Sequence, residues 1–377
     1  MNDEQYKNLA RQFVNNAVGI GAGESVWLEY GGETALPMAK ACEHRIIESG
    51  GQAYLVDRGS VEIKKILNEV ANQADPQAYM QELSRQNLSK MSSMQGYIRI
   101  DDIADGERCD ITPEQLLNFR SSVMKDATDH RVNKLRWLVL DAPNQAFAQA
   151  CGMSNRDFDE FYYGACMANY QRMSDAVTPL VDLLVNDSHV CITGDQTNIE
   201  FSIKDIGAKP CTGKLNIPDG EAFTAPVKNS VNGKIRYVQS RYMGISVPWV
   251  EFDVRDGRIE RAVTQGEELT VKLNEILDKD DGARYFGEFA IAFNPYIQHP
   301  VGSILFDEKI AGSFHLTPGQ CYTDWADNGN HSAVHWDLVN IQRPEYGGGD
   351  IVIDDVLIRR DGLFVPKRLQ GLNPNNF

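Results

Sequence analysis

The sequence has no Cys-x-x-Cys pair, no Gly-x-Gly-x-x-Gly turn, no Gly-Lys-Ser/Thr loop and no apolar run approaching a membrane span. Each absence removes a class of function. Seven cysteines (42, 109, 151, 166, 191, 211 and 321) are scattered and odd in number, which predicts reduced thiols in a cytoplasm rather than a zinc ribbon or a disulfide framework. Without a glycine-rich phosphate cradle, nucleotide binding has no support. Gly-x-Ser-x-Gly and His-Glu-x-x-His are missing too, so neither a serine-hydrolase elbow nor a helix-borne single-zinc protease is encoded. Positive charge is short: 37 Lys and Arg stand against 53 Asp and Glu, a net charge of −16. That balance argues against nucleic acid or an anionic membrane as partner. The first residues, Met-Asn-Asp-Glu-Gln-Tyr-Lys, are polar and predict no signal peptide.

What is present is an ordinary globular composition, 42% hydrophobic and 24% charged over 377 residues, enough for two domains with real cores or one large one. The first half alternates helix-like and strand-like stretches. Helical spacing over 3–18, 35–48, 61–72, 143–151, 155–172 and 174–186 is interleaved with strands at 25–30, 53–56, 96–100, 136–140 and 189–193. This rhythm predicts an α/β domain with a largely parallel sheet over residues 1–190. Thereafter strand-like runs dominate, at 235–238, 244–252, 268–271, 289–293 and 351–358. They predict a β-rich, α+β C-terminal domain over 191–377.

Four of the seven histidines (299, 315, 331 and 335) fall in the last eighty or so residues. Residues 332–338, Ser-Ala-Val-His-Trp-Asp-Leu, read as a strand. Period two then puts Ala333, His335 and Asp337 on one face and Val334, Trp336 and Leu338 on the other. An imidazole and a carboxylate side by side on a rigid element suit a metal ion. Alone, the pattern is short and common and more often marks a solvated surface strand. Glu288 repeats the logic, sharing its face with Ala290 and Ala292 while Phe289, Ile291 and Phe293 face the core. An unpaired carboxylate in that setting would cost several kcal/mol or lose its charge. Glu221 follows a Pro-Asp-Gly turn that can aim it into a cleft. Asp307 and Glu308 precede His315, and Tyr322 follows it. His331 sits in a polar loop and is expected to be structural. Four carboxylates (Glu221, Glu288, Glu308 and Asp337) with two imidazoles (His315 and His335) are too many donors for one tetrahedral ion. They suit two adjacent divalent ions bridged by a carboxylate and a water.

These residues sit in longer segments: Asn-Ile-Pro-Asp-Gly-Glu-Ala-Phe-Thr-Ala-Pro (216–226), Ser-Val-Asn-Gly (230–233), Gly-Glu (287–288), Asp-Glu-Lys-Ile-Ala-Gly-Ser-Phe-His (307–315) and Asn-His-Ser-Ala-Val-His-Trp-Asp-Leu-Val (330–339). In this order they resemble the thermophilic-type metalloaminopeptidases, the aminopeptidase T and aminopeptidase S type. The stretches 146–153 and 194–203 resemble that family as well. The resemblance implies a cytoplasmic, homodimeric, two-domain hydrolase that removes N-terminal amino acids from peptides with two divalent metals, whether zinc, cobalt, manganese or magnesium. It implies Glu221, Glu288, Glu308, His315, His335 and Asp337 as ligands, and Glu221 and Tyr322 as catalytic. Glu308 lies seven residues before His315, further than in the family's usual Asp-Glu-Asn form, so Asp307 is its natural substitute. Two other readings keep the fold: a ring-cleaving dioxygenase with one iron on His315, His335 and Asp337, and a metal-binding protein without catalysis.

Overall fold

The computed structural model describes residues 1–102, 111–242 and 245–377, so Cys109 and Gly244 lie outside the described residues. The chain forms two compact units, one of residues 1–167 with 213–217, the other of 168–212 with 218–377. The segment 168–190, read from sequence as the end of the first domain, packs with the second unit.

In the first unit, β1 (Ser25–Tyr30), β2 (Gln52–Asp57), β3 (Gly96–Asp101) and β4 (Arg136–Asp141) form a parallel sheet in the order β2-β1-β3-β4. Parallel neighbours require crossovers. These are supplied by α2 (Leu36–Glu48), which follows α1 (Asp3–Arg11), then α3 (Ser60–Ala71), α4 (Pro76–Met91), α5 (Pro113–Phe119) and α6 (Lys125–Lys134). The unit ends in α7 (Gln145–Ala150) and α8 (Asn155–Cys166). The helical pattern of 3–18 continues from α1 through a π-helical stretch, Gln12–Val18. Val26, Leu28, Ile98, Ile100, Leu138 and Leu140 are fully buried in the sheet, as expected of strands covered on both faces. This is the α/β arrangement the sequence predicts, with α4, α5 and α6 added to it.

The second unit opens with α9 (Tyr170–Asn186) and holds the antiparallel strands. They are β5 (His189–Gly194), β6 (Thr197–Ser202), β7 (Lys209–Cys211), β8 (Glu221–Thr224), β9 (Asn232–Tyr237), β10 (Ser240–Tyr242), β11 (Ile245–Val247), β12 (Val250–Arg255), β13 (Arg258–Val263), β14 (Phe286–Ala292), β15 (Ser313–Pro318), β16 (Val339–Ile341), β17 (Gly349–Ile353), β18 (Val356–Arg360) and β19 (Leu363–Phe364). One sheet runs β13-β12-β9-β6-β5-β17-β18-β19 and another β16-β15-β14-β8-β7. Every residue of β8, β14 and β15 is buried. Among the described residues, no helix is long and apolar enough to cross a membrane.

Three strand readings need correcting. Residues 268–271 belong to α10 (Glu267–Leu277), because the apolar set continues as Leu273, Ile276 and Leu277, a helical spacing, all buried. The run 351–358 is a hairpin: Asp354 and Asp355 take φ of 44° and 64° between β17 and β18, the left-handed pair of a tight two-residue turn. Residues 332–338 form no ladder; only His335 makes a bridge, to Gly319. The alternation survives nonetheless, with Val334, Trp336 and Leu338 buried and Ala333, His335 and Asp337 more open.

Close backbone approach holds that segment instead of a ladder. A Cβ on Gly319, whose φ is +107°, would stand 2.0 Å from the Val334 carbonyl oxygen, and one on Gly287 would stand 2.3 Å from that of Gln320. Asn330, fully buried, donates its amide to the carbonyls of Gly319 at 2.6 Å and Gly282 at 2.9 Å. Asn330→Ala takes from the Gly319 carbonyl its side-chain donor, while Gly282 keeps the Tyr285 N–H at 3.0 Å, and is expected to cost about 1–3 kcal/mol, measured as a fall in urea midpoint at unchanged m-value.

Candidate metal centre

The site is built on one face of three neighbouring strands. In the register of β14 with β8 and β15, Ala292 lies opposite Glu221, Ala290 opposite His315, and Glu288 opposite Thr317. Directly opposed residues share a face, so Glu221, Glu288 and His315 gather over two alanines that leave them room. Glu288 is 3% exposed, so its carboxylate is buried among these neighbours. The 332–338 segment then brings His335 and Asp337 to the same carboxylate.

Two groups of donors result, Glu221 with Glu288 and His315, and Glu288 with His335 and Asp337, each with its ligating atoms within 4.8 Å of one another. Glu288 belongs to both. Its Oε1 lies 3.5 Å from His315 Nε2 and its Oε2 3.3 Å from His335 Nε2. His315 Nε2 is 3.8 Å from Glu221 Oε2, and His335 Nε2 is 3.3 Å from Asp337 Oδ1. Donors about 2.0–2.2 Å from one ion stand roughly 3–3.5 Å apart, so these spacings fit metal binding. A further sign is Glu221 Oε2, which is buried with no hydrogen-bond partner. Outer contacts fix the donors: His335 Nδ1 donates to the Gln320 carbonyl at 2.8 Å, leaving Nε2 for the carboxylates, and Thr317 donates to Asp337 at 2.7 Å. Tyr322 places its ring edge-on to His335, centroids 5.3 Å apart, and stays 40% exposed.

The remaining candidates divide. Glu308 is buried but joins neither group; its Oε1 accepts from Lys309 Nζ at 2.8 Å. Asp307 does not replace it, because its carboxylate accepts the backbone N–H groups of Val301 at 2.6 Å and Gly302 at 3.0 Å. His299 meets Tyr346 Oη at 3.1 Å, and His331 is exposed. Lys309 is what the sequence reading missed. Only 1% exposed, its ammonium pairs with Glu221, Glu308 and, at 3.9 Å, Asp219. The signal was available: a lysine inside Asp-Glu-Lys-Ile-Ala-Gly, flanked by apolar residues, has to be buried with partners.

Desolvation and crowding decide the charges. Burial pushes Glu221 upward against the pull of Lys309 and His315, and pushes Glu308 to about 8. Burial acts the same way on Glu288, yet hydrogen bonds from His315 and His335 hold it below the ordinary value. Asp337 also overcomes burial and falls far below its ordinary value, chiefly through His335. Burial would lower His315, but Glu288 and Glu221 outweigh it and raise it to about 9. Lys309 stays firmly protonated, the three carboxylates overriding its desolvation. Lone buried charges are costly and paired ones tolerable, so in the metal-free chain protons and Lys309 supply the neutralising charge.

Three outcomes follow. Metal must displace the proton on His315, so affinity is expected to fall about tenfold per pH unit below about 9 for each proton displaced, read by chelator competition. Stability of the metal-free protein runs the other way. A raised histidine stabilises fully below its ordinary value of 6.5, and the benefit is lost as pH rises through about 9. Lys309→Met removes the buried ammonium that pairs with Glu221 and Glu308 and is expected to destabilise the metal-free protein by about 3–5 kcal/mol. Added divalent metal is expected to restore part of that loss in urea melts.

Comparison with known proteins identifies the family. The sequence matches the thermophilic metalloprotease family (M29) over residues 2–362. It is 27% identical to aminopeptidase 2 of Geobacillus stearothermophilus over 289 residues, 64% of this chain and 65% of that protein, just under two thirds of its length. It is 32% identical to aminopeptidase T of Thermus aquaticus over 189 residues, 44% and 42% of the two chains. In structure it resembles wild-type AmpT of Thermus thermophilus with a TM-score of 0.74 at 18% identity, covering 96% of this chain and 99% of that one. A 2,5-dihydroxypyridine dioxygenase of Pseudomonas putida KT2440 shares the fold with a TM-score of 0.58 at 12% identity, over 98% and 99% of the chains. With a match that spans nearly its whole length, the chain belongs to the thermophilic metalloprotease family M29.

Proposed function

We infer that this protein is a metal-dependent aminopeptidase acting on peptides with a free N-terminus. Two divalent ions would be held by Glu221, Glu288 and His315 and by Glu288, His335 and Asp337. The observation that carries the reading is Glu288, one carboxylate common to both donor groups. Bound there, the ions would polarise the scissile carbonyl and lower the pKa of a water. The carboxylate-rich donor set accepts zinc, cobalt, manganese or magnesium.

The chain's own groups divide the remaining work. Glu288 spans the two positions from the middle of a buried sheet, so its oxygens are fixed before substrate arrives. Glu221 offers one free oxygen while Lys309 holds the other. Glu308, outside both groups and near neutrality in its proton affinity, is the carboxyl suited to carry a proton to the departing amine. Tyr322, half-exposed beside His335, is positioned to donate to the developing oxyanion. No disulfide joins the six described cysteines, which supports a cytoplasmic setting; a homodimer is the assembly we expect from the family.

A one-iron dioxygenase would need His315, His335 and Asp337 around a single ion, whereas His315 groups with Glu221 and Glu288 instead. Metal analysis with turnover of aminoacyl-anilides, with and without chelator, separates the readings. Two ions per chain and metal-dependent release of free amino acid support the peptidase; one ferrous ion and no release would sink it. Metal uptake with no turnover would leave a binding protein. Within the peptidase reading, Glu288→Ala is expected to abolish release and lower metal content, and Tyr322→Phe to lower kcat by about 10²–10³-fold with KM little changed.

A further inference from the structure

A second set of donors lies in the other sheet of the same unit. Strands β5 and β6 pair in a register that sets His189 opposite Ser202 and Cys191 opposite Glu200. Val190, Ile192, Ile199 and Phe201 point into the core, so His189, Cys191 and Glu200 share the outer face. Cys191 Sγ lies 3.6 Å from His189 Nδ1, and His189 Nε2 lies 3.7 Å from Glu200 Oε2. One ligating atom from each can be chosen so that all lie within 4.8 Å of one another. A single ion would take one of the two His189 nitrogens, together with the sulfur and one carboxylate oxygen, from two hydrogen-bonded strands.

The surroundings favour a cation. The tight turn between β17 and β18 fixes the backbone at His189: Asp354 accepts the N–H groups of Ser188 at 3.0 Å and His189 at 2.8 Å, and returns its own N–H to the His189 carbonyl at 2.9 Å. Burial first, then the negative charges of Glu200 and Asp355, hold the Cys191 thiol above its ordinary value. Those anions disfavour a bare thiolate and attract a divalent ion, whose arrival reverses the balance. His189 and Glu200 side chains are 52% and 59% exposed, so the approach from solvent is open.

We propose that His189, Cys191 and Glu200 form a surface site for a borderline divalent ion such as Zn²⁺, with solvent as the fourth ligand. On binding, the thiol releases its proton to solvent and the thiolate sulfur takes the ion, joined by one imidazole nitrogen and one carboxylate oxygen. The mixed S, N, O set selects zinc-like ions over magnesium and calcium, which prefer oxygen alone. None of its residues belongs to the Glu288 centre, and the site stands whether or not that centre is a peptidase.

Co²⁺ is the direct probe, because a thiolate ligand gives it a near-ultraviolet charge-transfer band. The band is expected in the wild-type protein and in Cys211→Ser, which removes the thiol paired opposite Glu221 in the register of β7 with β8, and is expected to vanish in Cys191→Ser. His189→Ala removes a direct ligand and is expected to weaken Co²⁺ binding at this site by at least about 10–100-fold, the loss typical of an outer-shell partner alone. Alkylation of Cys191 by iodoacetamide in the unmodified chain needs no variant, and added Zn²⁺ is expected to slow it. No band in the wild type, a band that survives Cys191→Ser, or alkylation indifferent to Zn²⁺ would each overturn the assignment.

Discussion

The second unit is organised around the problem of keeping a nearly buried Glu288 ionised. Its carboxylate sits on a strand buried on both faces, and two imidazoles answer its charge from opposite sides. Satisfying it requires His315 on the next strand and His335 from a segment without a ladder of its own. That segment in turn depends on Asn330 and on the bare backbones of Gly319 and Gly287. The alanines beside Glu288 belong to the same solution, since larger side chains would fill the space the donors occupy. The packing of β8, β14, β15 and the 330–338 segment is thus read most simply as a frame for one charge.

Lys309 extends that frame to Glu221 and Glu308. A buried ammonium in contact with three carboxylates is stable only because each partner would be costly alone. It divides the acidic cluster into a part facing the shared carboxylate and a part compensated from within the protein. Glu308 falls on the lysine side, which accounts for its absence from both donor groups despite its place in the motif.

Much of this was legible in the sequence, for reasons that differ by element. The strands of the first unit announced themselves because both faces are covered, so Val26–Leu28 or Trp137–Leu140 appear as apolar runs between helices. Helix α4 was missed because its surface is mostly polar, and only Ser84 and Met91 are buried. Asp75 before Pro76, a capping residue ahead of a first-turn proline, was the available sign. Helix α10 was misread because Leu-Thr-Val looks like a strand when the window stops before Leu273. In the candidate site, Glu221, Glu288, His315, His335 and Asp337, each singled out in the sequence, lie together. What the sequence did not carry was their grouping. Which oxygen faces which imidazole depends on the pairing of β14 with β8 and β15, a long-range register that no local pattern specifies. Asp307 and Glu308, adjacent in sequence, likewise parted into a backbone clasp and a lysine partner.

Lys309 also bears on the order in which this protein matures. A cluster of carboxylates that relied wholly on metal for neutrality would leave the newly made chain unable to close its core until metal arrived. Here an ammonium carried by the chain itself, with protons on the imidazoles, completes the charge balance. Folding can therefore run ahead of metal loading, and loading becomes an exchange of ions for protons in an already assembled protein.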